Sequence, residues 1–229
     1  GCDILVGTPG RVMDLAIDNA ISLKEVNKLI IDEFDEMLNI GFKAQLTHIF
    51  QMMKEKRQNI LFSATMTEAV DALLYEYFSG PLEISLAKSG TPLEKIEQFA
   101  YKVENFNTKI NLLENLLKTD LDFSKVLIFC NNKRHADLLY TKIEELFPDQ
   151  FDVIHSNKSQ NYRLNAMRSF ENQKVRGLIT TDIMARGLDI SDITHVINFE
   201  IPEVPEQYIH RIGRTGRADA TGTAISFIT

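Results

Sequence analysis

KLIIDEFDEML (Lys28–Leu38) carries an apolar stretch, Leu29 to Ile31, straight into four carboxylates, Asp32, Glu33, Asp35 and Glu36, with Phe34 alone among them. The apolar run has the make-up of a buried strand. Asp32 and Glu33 therefore fall at the strand's end, and Asp35 and Glu36 in the opening turn of a helix. Two readings of the acids stand side by side. Carboxylates in a first helical turn complement the positive end of the helix dipole and need no ligand. Alternatively, Asp32 offers a hard oxygen to Mg²⁺, which keeps several of its waters, and Glu33 orients a water for phosphoryl transfer.

The same rhythm extends in both directions. Strand-like runs DILVG, KLIID, NILFS, LEISL, EQFAYKV, KVLIFC, FDVIH, GLITT, HVINF and AISFI alternate with segments of helical spacing such as TEAVDALLYEYF, TKINLLENLLK, KRHADLLYTKIEELF and NYRLNAMRSFEN. That alternation predicts an α/β fold with a mostly parallel sheet. Ser, Gly and Pro interrupt it at AKSGTPLEK (Ala87–Lys95), so two units are expected to join there. In such sheets ligands gather beyond the carboxyl ends of the strands. Each polar cluster described below sits at such an end.

NILFSATMTEAV places Ser63 and Thr65 where a strand meets a helix, and Thr65 with Glu68 has the spacing of a capping box. In DILVGTPGRVMDLAI, Thr8 can cap, Pro9 suits the first helical position, and Gly10 permits close approach by a ligand. The free N–H groups there, with Arg11, would suit an anion. TTDIMARGLDI (Thr180–Ile190) and YIHRIGRTGRA (Tyr208–Ala218) crowd Asp182, Arg186, Asp189, His210, Arg211, Arg214 and Arg217 into two short segments. Helical spacing from Glu206 to Ile212 predicts that Ile209 and Ile212 are buried, with His210 and Arg211 on a polar side. Gly213 and Gly216 would end the helix and release Arg214 and Arg217. Three arginines among glycines suit multi-donor binding of phosphate oxygens, although a solvated basic turn would look similar. His155 and Ser156, at another strand end, read either as a polar loop pair or as lining of the ligand groove at those ends, and Lys133 with Arg134, opening a helix just after Asn131, either as a solvated helix turn or as part of that site.

The 229 residues carry 25 Lys and Arg against 32 Asp and Glu, a net charge of −7. That balance excludes nucleic-acid binding through a global positive field and leaves local clusters to do it. No apolar run reaches the roughly 20 residues that span a bilayer, and no secretory leader opens the chain. A cytoplasmic protein is expected, with Cys2 and Cys130 as separate reduced thiols. Because GCDILVGTPGR begins in what reads as a buried strand, the chain is expected to be a fragment.

Together these segments resemble the DEAD-box RNA helicases, superfamily 2 enzymes built from two RecA-like domains. TPGR (Thr8–Arg11), DEFD (Asp32–Asp35), SAT (Ser63–Thr65), LIFCNN (Leu127–Asn132), QNYR (Gln160–Arg163), TTDIMARGLD (Thr180–Asp189) and HRIGRTGR (His210–Arg217) follow in the family's order and cover essentially the whole chain. The resemblance implies two RecA-like domains with mostly parallel sheets flanked by helices, the first incomplete. Residues 1–88 would belong to the first, 89–95 to a linker and 96–229 to the second. It implies ATP and Mg²⁺ as cofactors, with Asp32 on the metal and Glu33 activating water. Arg214 and Arg217 would be arginine fingers on the phosphates, and Asp189 and Gly187 would also bind the nucleotide. Asp35, Ser63, Thr65, His210 and Arg211 would couple turnover to domain closure. Single-stranded RNA or a short duplex would meet Thr8, Gly10, Arg11, Asn131, Gln160, Arg163, Thr181, Arg186 and Gly187, mainly through its backbone. A monomer with no membrane partner is expected.

Phe34 departs from the pattern, since the family normally has Ala there. Its ring is expected to pack into the core, which puts the packing around Asp35 in question. No G-x-x-x-x-G-K-[ST] phosphate loop occurs anywhere, so the chain by itself is expected to be inactive. The alternatives are an RNA-binding or regulatory module that has lost catalysis, and a DNA helicase of the same superfamily.

Overall fold

The computed structural model describes residues 2–85, 95–119, 123–182, 190, 192–216 and 220–229. The chain divides into two compact units, Gly1–Ser85 and Leu86–Thr229. The first contains α1 (Pro9–Ile17), β1 (Lys28–Ile31), α2 (Phe34–Asn39), α3 (Lys43–Met52), β2 (Gln58–Leu61) and α4 (Glu68–Tyr77). β1 and β2 are parallel, with Ile31 beside Leu61. Parallel strands need a crossover, and α2 and α3 supply it. Past the strand ends the Phe62 N–H donates to the Ile31 carbonyl (2.8 Å) and the Phe34 N–H to the Phe62 carbonyl (3.0 Å). Phe34 is fully buried among Ile31, Leu46, Phe50, Val70 and Leu73. Its ring is thus part of the core that fixes where α2 starts.

Two expected strands do not form. DILVG and LEISL have strand composition, yet DILVG and residues 82–85 of LEISL lie outside any strand, with Val6 and Leu82 90% and 86% exposed, while Leu86 lies outside the described residues. An apolar run becomes a strand only when a neighbour accepts its ladder bonds, and neither stretch is paired with one here. Residues 2–8 are therefore exposed and not part of a buried strand.

The second unit contains β3 (Ile96–Lys102), α5 (Phe106–Thr119), β4 (Val126–Phe129), α6 (Lys133–Leu146), β5 (Phe151–Ile154), α7 (Gln160–Glu171), β6 (Gly177–Thr180), β7 (His195–Asn198), α8 (Pro205–Ile212) and β8 (Gly222–Ile228). Its six strands lie in the order β3-β8-β7-β4-β6-β5, every pair parallel. β4 is buried on both faces, as the near-continuous apolar run VLIF requires. Val126 and Ile128 join one core with Leu113 of α5 and Leu139 of α6. Leu127 and Phe129 join another with Phe170 of α7 and Ile212 of α8. At the start of β6 a Cβ on Gly177 would lie 1.9 Å from the Phe151 ring, so only glycine lets these strands approach.

From β4 the chain goes out to the sheet edge at β5, returns through β6, and reappears at β7 on β4's other side. The strand order reverses around β4, so the carboxyl ends of β4, β6 and β7 frame the crevice where this class of fold collects ligands.

Phe34→Ala restores the residue expected from the family pattern but empties a closed site. It should lower unfolding stability by about 3–5 kcal/mol, read as a reduced urea midpoint with unchanged m-value. An unchanged midpoint would show that the ring is not part of the packing.

Candidate functional site

In the first unit the site grows from the end of β1. Asp32 and Glu33 are exposed, while Asp35 and Glu36 are buried. The Asp32 carboxylate accepts the Glu33 N–H at 3.0 Å. Glu33 has φ +50 and ψ 49, a left-handed conformation that costs a non-glycine residue on the order of 1–3 kcal/mol. That turn leaves both leading carboxylates outside while Phe34 plunges inward.

Asp35 faces the opposite way and ties the two strand ends together. One oxygen accepts the Thr65 N–H (2.8 Å) and hydroxyl (2.7 Å), and the other the Glu36 N–H (3.0 Å). The Ser63 hydroxyl donates to the Thr65 carbonyl at 2.7 Å and closes the turn. Burial alone would raise the Asp35 pKa, but the bonds from the Thr65 hydroxyl, the Thr65 and Glu36 N–H groups and Ser63 outweigh it. Its carboxyl titrates below the ordinary aspartate value. The expected Thr65 capping box is corrected here. α4 begins at Glu68, and the cap is Thr67, whose hydroxyl oxygen accepts the Val70 N–H at 3.3 Å. Thr65 lies outside the helix and serves Asp35.

Thr8 occupies the cap position of α1, with no side-chain cap bond, and Pro9 is the first helical residue. Thr8 and Arg11 are exposed. Nothing lies within 4 Å of where a Cβ on Gly10 would point, so this helix start has open space above it. Among the described residues no group of three or more His, Cys, Asp or Glu could hold a metal. Magnesium needs less, since it is bound through one or two carboxylates, retained waters and substrate phosphates, and the exposed Asp32 fits that role.

The second unit's crevice is organised by Arg211, 1% exposed. Nε and one Nη donate to the two Asp182 oxygens at 2.5 and 2.7 Å, and that Nη also reaches Asn131 Oδ1 at 2.9 Å. The other Nη donates to Asn198 Oδ1 at 3.2 Å and the Glu200 carbonyl at 2.5 Å. All five guanidinium donors are used. The guanidinium lies 5.0 Å from the centre of the Phe129 ring. One side chain from α8 thereby joins the ends of β4, β6 and β7.

This overturns the expected face of the helix. Ile209 is 43% exposed and Arg211 is buried, while Ile212 is buried as expected. α8 turns Tyr208 and Ile212, four residues apart, toward the apolar cluster. Arg211 follows them inside because the strand ends supply its acceptors.

Asn131 has little freedom. Its N–H donates to Glu200 Oε2 (2.8 Å), its amide nitrogen to the Ile201 carbonyl (2.9 Å), and its oxygen accepts from Arg211. His135 Nδ1 holds the other Glu200 oxygen at 2.6 Å. Gln160 and Arg163 share the first turn of α7 and are hydrogen-bonded to each other. Thr181, just past β6, is half-buried. His210 is half-buried and its carbonyl accepts Arg214 Nε at 3.2 Å. Gly213 caps α8, and Gly216 has φ +66 with Ile96 Cγ1 2.7 Å from where a Cβ would lie. His155 lies in a loop as expected, but it is buried and bonded to Asp137 at 2.9 Å. Arg186, Gly187, Asp189 and Arg217 lie outside the described residues. The sequence reading assigned no role to Glu200 or Asn198. An asparagine inside the apolar run HVINF was the available signal, because a buried amide requires partners.

Residues 1–73 match the family model described as DEAD/DEAH box helicase, and residues 108–219 the model described as helicase conserved C-terminal domain. Eukaryotic initiation factor 4A of Caenorhabditis elegans is 39% identical over 231 residues, covering 100% of this chain and 56% of its own length. The ATP-dependent RNA helicase DbpA of Bacillus subtilis is 39% identical over 227 residues, with 99% and 47% covered. Among solved structures, S. cerevisiae Dbp5 bound to RNA and ADP BeF3 superposes with a TM-score of 0.84 at 30% identity, covering 97% of this chain and 58% of that one. The chain spans about half the length of the curated relatives it matches.

Arg211→Ala leaves Asp182 and the amide and carbonyl acceptors without a donor and should cost about 3–5 kcal/mol of stability, with Arg211→Lys recovering only part. Equal urea midpoints for Arg211→Ala and the unaltered chain would contradict this. Because the folded-state pKa of Asp35 is depressed, its contribution is complete above the unfolded value near 4 and disappears as pH falls through the lower folded value. Urea midpoints measured from pH 6 down to 2 should therefore fall less steeply in Asp35→Asn, from a lower starting point.

Proposed function

We propose that this chain, which belongs to the DEAD-box helicase family, works within an ATP-dependent RNA helicase that binds the RNA backbone and opens short duplexes locally. The observation that carries the reading is the division of labour at DEFD. Asp35 is buried and bonded to Thr65, while its neighbours Asp32 and Glu33 stand exposed at the same strand end. A purely structural acidic turn has no need of that split.

On this reading Asp32 holds Mg²⁺ with its waters and Glu33 orients the attacking water. When bound, the metal neutralises charge on the phosphate oxygens. Asp35, Ser63 and Thr65 transmit the state of that edge to β2, and His210 and Arg211 serve the equivalent task on α8. Arg214 and Arg217 act on the β- and γ-phosphates, and Asp189 with Gly187 on the remainder of the nucleotide. RNA meets Thr8, Gly10 and Arg11 in one unit and Gln160, Arg163, Thr181, Arg186 and Gly187 in the other. Asn131 belongs to the same groove, its side chain held by Arg211 and Ile201. Backbone contacts of this kind tolerate sequence, and the 2′-hydroxyl separates RNA from DNA. A module that had lost catalysis would have no physical use for a water-orienting carboxylate or for arginines aimed at phosphate.

No phosphate loop of the G-x-x-x-x-G-K-[ST] type lies within the 229 residues, so turnover is to be measured on a polypeptide that joins this chain to such a loop. Single-stranded RNA should stimulate its ATP hydrolysis, and Glu33→Gln should abolish the stimulated rate. Arg214→Ala should lower kcat by roughly 10³-fold or more with a far smaller change in KM for ATP. Unaltered turnover in Glu33→Gln would refute the assignment, and equal stimulation by DNA would redirect the substrate.

A further inference from the structure

Gln160 and Arg163 sit at the start of α7, and the preceding five-residue loop, 155–159, decides where α7 begins. Loops of this kind are usually the mobile part of a ligand site. This one is gripped from outside. Lys133 and Asp137 are four residues apart on α6, hence on one face of that helix. Lys133 Nζ donates to Asn157 Oδ1 at 2.9 Å. Asp137 Oδ1 accepts from His155 Nε2 and from Lys158 Nζ, each at 2.9 Å.

The loop is also fastened to itself. The Lys158 N–H donates to the His155 carbonyl at 3.0 Å, and the Asn157 N–H to His155 Nδ1 at 3.3 Å. The His155 ring, side chain 2% exposed, thus uses both nitrogens. The Lys158 ammonium lies 5.5 Å from the centre of the Tyr162 ring, and the Ser159 hydroxyl oxygen caps α7 by accepting the Tyr162 N–H at 3.3 Å. The placement of Lys133 is informative. An ammonium in a first helical turn opposes the helix dipole, and α6 has no acid there to offset it. β4 and β5 are not direct neighbours, since β6 lies between them, so the ladders fix α6 and α7 only through β6, and the side chains of α6 supply the direct tie to loop 155–159.

We propose that Lys133 and Asp137 are positioning residues of the RNA groove. They brace loop 155–159 so that Gln160 and Arg163 stand at a fixed spacing from Asn131 before RNA arrives. The inference rests on the RNA reading above and adds residues that the recognition motifs do not contain. Ordering the loop during folding removes that cost from binding, which is how preorganisation raises affinity. Asp137 itself contacts no RNA.

The test uses the 229-residue chain, unaltered and as Asp137→Ala and Asp137→Asn, with two readouts: amide hydrogen exchange without RNA, and binding of a fluorescent single-stranded oligouridylate across a salt series. In Asp137→Ala, exchange at residues 156–162 should quicken about tenfold while β4 and β6 stay protected. Kd for the oligouridylate should rise about five- to tenfold, with the slope of log K against log salt unchanged because no phosphate contact is lost. Asp137→Asn, which keeps an acceptor but drops the charge, should fall between. If Asp137→Ala loses protection throughout, Asp137→Asn decides on the same two readouts. Unchanged local exchange, or faster exchange with unchanged Kd, overturns the proposal. Local loosening in a chain whose unaltered form binds no oligouridylate would remove the RNA reading and leave the brace as a purely structural one.

Discussion

A guanidinium buried to 1% exposure with every donor satisfied is the constraint around which the second unit's crevice is built. Removing such a charge from water is expensive, and the ion pair with Asp182 alone would not offset it. Bonds to Asn131 beyond β4 and to Asn198 and the Glu200 carbonyl at the end of β7 complete the compensation, while Asp182 lies just past β6. The expense carries geometric information, because Arg211 is satisfied only when β4, β6 and β7 end in this relative arrangement. Asn131 then inherits a fixed position, and Glu200, bonded to the Asn131 N–H and to His135, carries the order on toward α6. Cys130, sealed directly beneath, has its thiol pushed far up by burial first and the Glu200 charge second, and is inert packing.

The first unit solves a smaller version of the same problem with a carboxylate. Asp35 is held at the end of β1 by the hydroxyl and N–H of Thr65 beyond β2, so the two parallel strands are joined by side chain as well as by ladder. In both units a fully bonded charged group stabilises the turn, with exposed acids before it in the first unit and half-buried His210 and Arg214 around it in the second. Asp32 and Glu33 stand beside Asp35, and His210 and Arg214 flank Arg211. A motif in which every charged residue met ligand would have nothing to hold it in shape.

Much of this was legible in the residues. VLIF, HVIN and GLIT read as strands because they are short, largely apolar runs between helical segments, and that alternation predicted the mostly parallel order. DILVG and LEISL have the same composition and failed, since strand formation depends on a pairing partner that no local window displays. The face of α8 was misread for a related reason. Periodicity counts arginine as polar, and only the acceptors at three distant strand ends make its burial favourable. Thr65 and Thr67 in SATMTE both satisfy a capping pattern, and the start of α4 decides between them. Asp35, by contrast, lay in the quoted acidic run from the outset, and its partner Thr65 lay in another quoted motif. The brace between α6 and loop 155–159 could not be read at all, because Lys133 and Asp137 have the spacing of any solvated helix face.

The central claim is that Arg211 is a fully bonded internal tie and not a solvent-exposed arginine. Nitrogen-15 NMR of the arginine-labelled chain tests it directly. Five acceptors should stop rotation about the guanidinium bonds, so Arg211 should give separate, slowly exchanging Hη signals at neutral pH and room temperature. A single averaged Hη signal exchanging with water as fast as that of Arg11 would contradict the account.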